Sequence, residues 1–304
     1  MSTRRRGGRR CAAVAALALV AGCASSHPTS VSPPSTAPTA STVPVTTGPP
    51  PTALPAPHPT ATTPVGGVDV RVYFLRGDRI GVAHRRVAST TAVARAAMTE
   101  LLAGPSTAES AAGLASTIPT GTRLRGIDIA DGVATVDLTG AFGSGGGSLS
   151  MTGRLAEVTF TLTQFPTVSG VAFRMDGTPV TVFGGEGIVL DHPATRASFE
   201  ALTPAILVET PAPADQLVSP VRVTGTADVF EATFQVQLSD QAGRVIASRI
   251  VTATAGTGTR GTFDVTVPYT LAAAGEGRLA VFDLSAKDGS RRDEVDIPVA
   301  LAAA

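Results

Sequence analysis

The sequence predicts an α+β domain, with helices on a mainly antiparallel sheet, followed by an all-β sandwich. Three observations carry this. Between residues 68 and 187, short alternating apolar runs are interleaved with two stretches of helical periodicity, in the order strand, helix, hairpin, helix, strand pair. From residue 204 to 301, alternating runs recur roughly every 10 to 15 residues, separated by Gly, Pro and Asp, with no helical stretch between them. Ahead of residue 68 there is only an arginine-rich start, an apolar run and a proline-rich stretch.

The chain has 304 residues, 43% of them hydrophobic, which is enough for two domains that each bury a core. Residues 1–10 hold five arginines and no acid, Ala12 to Ala21 are apolar, and Val20-Ala21-Gly22-Cys23 closes the run. Ten apolar residues are too few to cross about 30 Å of hydrocarbon as a helix, so residues 1–22 read as an export signal. VAGC resembles the lipoprotein cleavage motif, which implies that Cys23 becomes the acylated first residue of the mature chain, carrying diacylglyceryl and palmitate-type groups. Cys11 leaves with the signal, so no disulfide and no cysteine-based metal site is expected, nor any cofactor. Losing five of 24 basic residues leaves 19 against 24 acidic ones, a net charge of about −5, which argues against nucleic acid as a partner.

Residues 23–67 form a tether. From Ala24 to Val68 there is no charged residue, but there are 12 prolines among many serines and threonines. Such a segment cannot bury a core and is expected to be extended and polyproline-like, reaching on the order of 140 Å at about 3.1 Å per residue.

In the first domain, Val68 to Leu75 reads as a strand, Arg76 to Arg79 as a turn and Ile80 to Val87 as its partner. Ser89, Thr90 and Thr91 offer N-caps for a helix whose apolar face is Val93, Ala97 and Leu101, stopped by Gly104-Pro105. A polar loop follows. Thr122 to Ile129 and Val133 to Leu138 flank Ala130-Asp131-Gly132 as a hairpin. Ser144 to Ser148 reads as a glycine hinge.

The stretch after it fits two templates. Val158, Phe160 and Leu162 alternate with threonines as in a strand, while Met151, Leu155, Val158, Leu162 and Phe165 step by three and four as on a helix. The length of about 15 residues favours the helix over a strand of about 5–6. On that helix Phe160 lies about 200° from Val158 and Leu162, off the apolar stripe; unless a second element covers that side, it is exposed and a candidate contact for a partner. Ser169 to Phe173, the MDGT turn and Pro179 to Phe183 then read as a strand pair. Residues 188–203 form a connector.

Seven strands are expected in the second domain: Ile206–Glu209, Val221–Ala227, Thr233–Ser239, Val245–Thr252, Thr262–Val267, Arg278–Ser285 and Glu294–Leu301. Val265, Val267, Leu279, Val281 and Phe282 are the expected core.

LLAGP at Leu101, STIPTGT at Ser116, VDLTGAF at Val136 and TLTQFPTV at Thr161 together resemble the GerMN domain of sporulation and germination proteins and of actinobacterial lipoproteins. SPVRVTGTADVFEATFQVQL at Ser219, with LSAKDGS at Leu284, resembles the bacterial immunoglobulin-like domain that commonly follows it. The resemblance implies an immunoglobulin-like sandwich, a helix at TLTQFP and an accessory envelope protein. It does not imply sporulation.

Catalytic chemistry is sparse. His84 and His192 stand apart from any serine or cysteine arrangement, and no GxSxG, HExxH, SxxK or phosphate-binding GxxxxGK occurs. Gly256 to Gly261 spells GxGxxG but lies between two expected strands, so it reads as a hairpin loop. Asp128, Asp131, Asp137, Glu157 and Asp176 could in principle supply the paired carboxylates of a glycan hydrolase. Against that, Asp131 and Asp176 precede glycine in turns, and Glu157 can face solvent and pair with Arg154. The expected function is therefore a non-catalytic binding or assembly module, lipid-anchored at Cys23 on the extracytoplasmic face of the cell membrane, with envelope proteins or cell-wall glycan as partners. The alternative is a weak peptidoglycan hydrolase.

Overall fold

The computed structural model describes residues 66–185 and 187–304. Cys23, the export signal and the tether up to residue 65 lie outside the described residues. Among those described, no helix is long and apolar enough to cross a membrane.

The first domain opens with the hairpin β1 (Gly67–Arg76) and β2 (Arg79–Ala88), paired antiparallel throughout. Helix α1 (Val93–Ala103) follows, with Ala97, Met98 and Leu101 buried. Its N-cap is Ala92, without a side-chain cap. Of the three expected caps, Ser89, Thr90 and Thr91, none caps the helix, and Thr90 accepts a bond from the Ala92 amide. The expected polar loop contains a second helix, α2 (Thr107–Ala111), closed by a capping box in which Ser106 and Glu109 satisfy each other's backbone amides. Glu109 is also paired with Arg85, which anchors the short helix to β2.

Strand β3 (Leu114–Ala115) adds to β1. Strands β4 (Leu124–Ala130) and β5 (Val133–Leu138) form the expected hairpin, with Asp131 at φ 51° beside Gly132. Helix α3 (Ser148–Leu162) confirms the helical template. It crosses over to β6 (Gly170–Met175), which pairs parallel to β5, because a connection this long allows parallel pairing where a tight turn does not. The chain turns through β7 (Thr178–Pro179), so the expected strand Pro179–Phe183 is cut short. Val182–Phe183 instead forms β8, paired with β9 (Ile188–Val189).

The second domain is a two-sheet sandwich. One sheet has three strands, β10 (Ile206–Thr210), β12 (Val221–Ala227) and β15 (Gly261–Val267), in the order β10-β12-β15. The other has five, in the order β11-β17-β16-β13-β14: β11 (Gln216–Leu217), β13 (Thr233–Asp240), β14 (Val245–Thr252), β16 (Gly275–Leu284) and β17 (Arg291–Leu301). Consecutive strands β14 and β15 lie in different sheets. The GxGxxG loop between them therefore crosses the sandwich edge rather than closing a hairpin. Val223, Phe234, Val236, Leu238, Val281 and Val299 fill the space between the sheets. Phe282 is buried on the opposite face of its strand, under the guanidinium of Arg291 at 3.9 Å from the ring centroid.

Candidate functional site

The polar residues that the sequence scatters along both domains converge at the seam between them, and the organising strand is β10. Its alternation buries both faces. Ile206 and Val208 enter the sandwich core, whereas Leu207 joins the core of the first domain, together with Phe199 and Leu202 from the connector. The next residue on the Leu207 face is Glu209, and a carboxylate there must be paired.

Glu209 receives three side chains from outside the sandwich. Tyr73 donates its hydroxyl to Glu209 Oε1 at 2.6 Å, Arg196 donates to the same oxygen at 2.6 Å, and Arg71 donates to Oε2 at 2.9 Å. Arg196 also donates to the Tyr73 hydroxyl at 3.0 Å, and it lies 4.9 Å from the centroid of Phe160 and 5.2 Å from that of Tyr73. Burial alone would raise the Glu209 carboxyl. The guanidiniums of Arg196 and Arg71 outweigh it and hold the group below the usual carboxylate range. Tyr73 is pushed upward, first by burial and then by the Glu209 charge.

His84 extends the network. Its Nδ1 lies 2.8 Å from Asp215 Oδ2 and its Nε2 2.8 Å from the Glu209 carbonyl oxygen. Both neighbours are acceptors, so the geometry favours a proton on each ring nitrogen. Burial works against that charge, but the Asp215 carboxylate and the Glu209 carbonyl raise the group above its ordinary value. With both nitrogens engaged, His84 has no free lone pair for general-base work. His192 is exposed, 3.8 Å from Asp191.

A second cluster lies inside the first domain, and it overturns three expectations. Glu157 does not face solvent. It is fully buried, accepting from the Ser116 hydroxyl at 2.8 Å and from the Thr117 amide and hydroxyl at 2.7 Å each. Burial raises its carboxyl to about 7, against the pull of those donors and of Arg154. Arg154 is not its hydrogen-bonded partner. All five guanidinium N–H groups go elsewhere: to the carbonyls of Phe142, Ser144, Gly145 and Ser150 and to the Ser150 hydroxyl. The glycine loop is thus clamped rather than hinged. Gly146, at φ +93°, has no room for a Cβ, which would meet Ser150 Oγ at 2.7 Å and Arg154 Nη2 at 2.8 Å.

Phe160 is likewise buried, packed on Tyr73 with ring centroids 5.5 Å apart. The apolar stripe is as expected, but Phe160 on the other side of α3 packs against Tyr73 of β1 and under Arg196 of the connector. An exposed partner contact at Phe160 is therefore excluded.

Of the other carboxylates, Asp137 Oδ1 accepts from the Gly177 amide and Asp176 Oδ2 from the Gly140 amide, both at 3.0 Å. Arg125 lies 3.3 Å from Asp137 and 3.6 Å from Asp176. These acids tie the VDLTGAF segment to the MDGT turn. The seam residues Arg71, Tyr73, Arg196 and Glu209 carried no motif in the sequence. The one signal was an acid directly after the apolar run ILV, where a solvated strand end would alternate.

The two halves of this seam correspond to known families. Residues 71–181 match the family Germane, described as sporulation and spore germination. Residues 205–290 match Gmad2, the immunoglobulin-like domain of bacterial spore germination. The chain carries both domains, in that order. Glu209 thus belongs to the Gmad2 domain, and Arg71 and Tyr73 to the Germane domain.

Similar solved structures include a candidate lipoprotein from Clostridium perfringens, 22% identical, covering 44% of this chain and 90% of that one at a TM-score of 0.32. The first GerMN domain of the sporulation protein GerM from Bacillus subtilis is 22% identical, covering 43% and 98% at 0.38. The tandem GerMN domains of that protein are 14% identical, covering 67% of this chain and 62% of theirs at 0.38. No curated protein matches.

Proposed function

We propose that this Germane–Gmad2 chain is a non-catalytic binding or assembly module of the cell envelope, of the actinobacterial type. In this reading it is lipid-anchored through Cys23 and presents its two domains on the extracytoplasmic face to envelope proteins or cell-wall glycan. The observation that carries the reading is the seam at Glu209. Two arginines, a tyrosine and a doubly bonded histidine, groups that an enzyme would aim at a substrate, are spent here on joining one domain to the other. VAGC at Val20 to Cys23 supports the anchor. Two acyl chains or more would give stable attachment where one binds marginally.

The hydrolase alternative has less support. A general acid on a glycan needs a raised carboxyl within reach of a polymer. The carboxyl raised to about 7 is Glu157, which is fully buried behind Ser116 and Thr117. Asp137 and Asp176 are committed to backbone amides and Arg125.

Crosslinking in intact membranes, followed by capture of the chain, tests the reading. Capture of envelope proteins or glycan without release of peptidoglycan fragments supports it. Sustained release of fragments by the purified chain, abolished by Asp137→Asn, would replace it with the hydrolase. Cys23→Ala should move the protein from the membrane fraction to the soluble one. Retention of that variant in the membrane, with no lipid mass on the wild type, removes the anchor.

A further inference from the structure

The seam also opens into a cavity of about 410 Å³, lined from both domains. Its apolar lining includes Ile80 and Val82 from β2, Val208 from β10, Pro211 just after that strand, and Ile297 from β17. Four charged residues also line it: Arg76, Arg79, Glu294 and Asp296. Arg76, the last residue of β1, donates from Nη1 to the Asp296 carbonyl at 3.1 Å, and its Nε is buried with no protein acceptor.

The contrast with Arg154 is informative, since that buried guanidinium fills all five of its N–H positions. No carboxylate among the described residues lies within ion-pair distance of Arg76. The two acids on the cavity rim are committed elsewhere: Asp296 is 2.9 Å from Arg278, and Glu294 is 2.9 Å from Arg291. Desolvation lowers the Arg76 guanidinium from its usual value, with Asp296 opposing. An arginine still remains charged at any physiological pH. The seam thus holds a cation whose Nε donor is unmatched, in a chamber walled in part by apolar side chains.

We propose that this cavity is a binding site for a small amphipathic carboxylate, whose acid group pairs with Arg76 and whose apolar body lies against Ile80, Val82 and Ile297. A carboxylate fits the fork geometry of a guanidinium. A volume of this size, with apolar walls and a few convergent polar groups, is that of a small-molecule pocket. Both domains supply the lining, so the ligand bridges Germane to Gmad2. The site is separate from the partner surface proposed above, and its failure would leave that reading standing.

Hexanoate is a suitable probe, with 1-hexanol and acetate as controls for the head group and the tail. Titrated into the full chain, hexanoate should saturate with a Kd on the order of 1 mM. It should shift the methyl resonances of Ile80 and Ile297. Each control should bind at least tenfold more weakly. Arg76→Gln keeps a donor for the Asp296 carbonyl but loses the charge, so it should weaken hexanoate at least tenfold while the unfolding transition stays cooperative. If Arg76→Gln itself unfolds, Arg76→Lys keeps the charge and should retain saturable binding. Equal affinity for hexanoate and hexanol, methyl shifts confined to other residues, or no saturation by about 20 mM would each overturn the proposal.

Discussion

Glu157 is fully buried and Glu209 partly so, each next to an arginine, yet their carboxyls move in opposite directions. Glu157 lies inside one domain, where neutral hydroxyls and an amide donate to it and the nearby Arg154 is fully spent on four carbonyls and the Ser150 hydroxyl, so desolvation wins and the group rises to about 7. Glu209 lies between two domains, bonded directly to two guanidiniums and a phenol, so pairing wins and the group is lowered. The difference shows that burial decides the cost of a charge, while the charge of its direct donors decides whether that cost is met. It also separates two roles: Glu209 joins domains as an anion, whereas Glu157 is an anion only reluctantly.

The largest expected effect is therefore at Glu209. Glu209→Ala leaves Arg71 and Arg196 facing each other without an anion and should cost about 3–5 kcal/mol, read from the denaturant midpoint. A loss below about 1 kcal/mol would mean that Leu207, Phe199 and Leu202 hold the seam without it. Phe160→Ala should cost a similar about 3–5 kcal/mol, because the ring is buried between Tyr73 and Arg196. A variant as stable as wild type would put Phe160 back on the surface.

At Glu157 the prediction is a pH dependence. The folded-state value of about 7 lies above the ordinary 4.5, so the unfolded chain releases this proton first and stability falls as pH rises from about 4.5 to 7. The span corresponds to about 3 kcal/mol. Glu209 has the opposite sign: its contribution is complete above its ordinary value and is lost as pH falls through the lowered folded one. Glu157→Gln should flatten the limb between pH 4.5 and 7 and leave the acid limb in place. A variant that retains the neutral limb would show that another group produces it.

The contrast also explains what could be read from the sequence. The strands of Gmad2 and the hairpins of Germane repeat locally with a period of two, so Val221–Ala227 and Val245–Thr252 are legible residue by residue. Helix α3 is legible from its apolar stripe and its length. Its far side was not, because Arg196, which covers Phe160, is 36 positions away. The GxGxxG loop was misread for a related reason: strands adjacent in the chain are adjacent in a sheet only when the fold pairs them. Glu209, Tyr73 and Arg71 come together across separations of 136 and 138 residues, and no local pattern marks such a meeting. Alternation in β10 does mark it indirectly, since a strand apolar on both faces needs two cores to bury against.

The smallest effect is expected at His84, and it sharpens the comparison because this group adds a cation to the same seam. The groups around it are the Asp215 carboxylate, the Glu209 backbone carbonyl and, opposing the charge, Arg71. Its folded value is raised above 6.5, so its contribution is complete below pH 6.5 and disappears as pH climbs through the raised value. His84→Gln can still donate one bond but carries no charge. It should cost on the order of 1 kcal/mol near pH 6 and less near pH 9, because the charge is lost as pH climbs through the raised value. Unfolding curves of the two proteins should therefore converge on the alkaline side, whereas the Glu209→Ala deficit persists there. A His84→Gln deficit of equal size at both pH values would mean that the ring supports the seam by its shape alone, and that Glu209 with its two arginines supplies all of the charge that joins the domains.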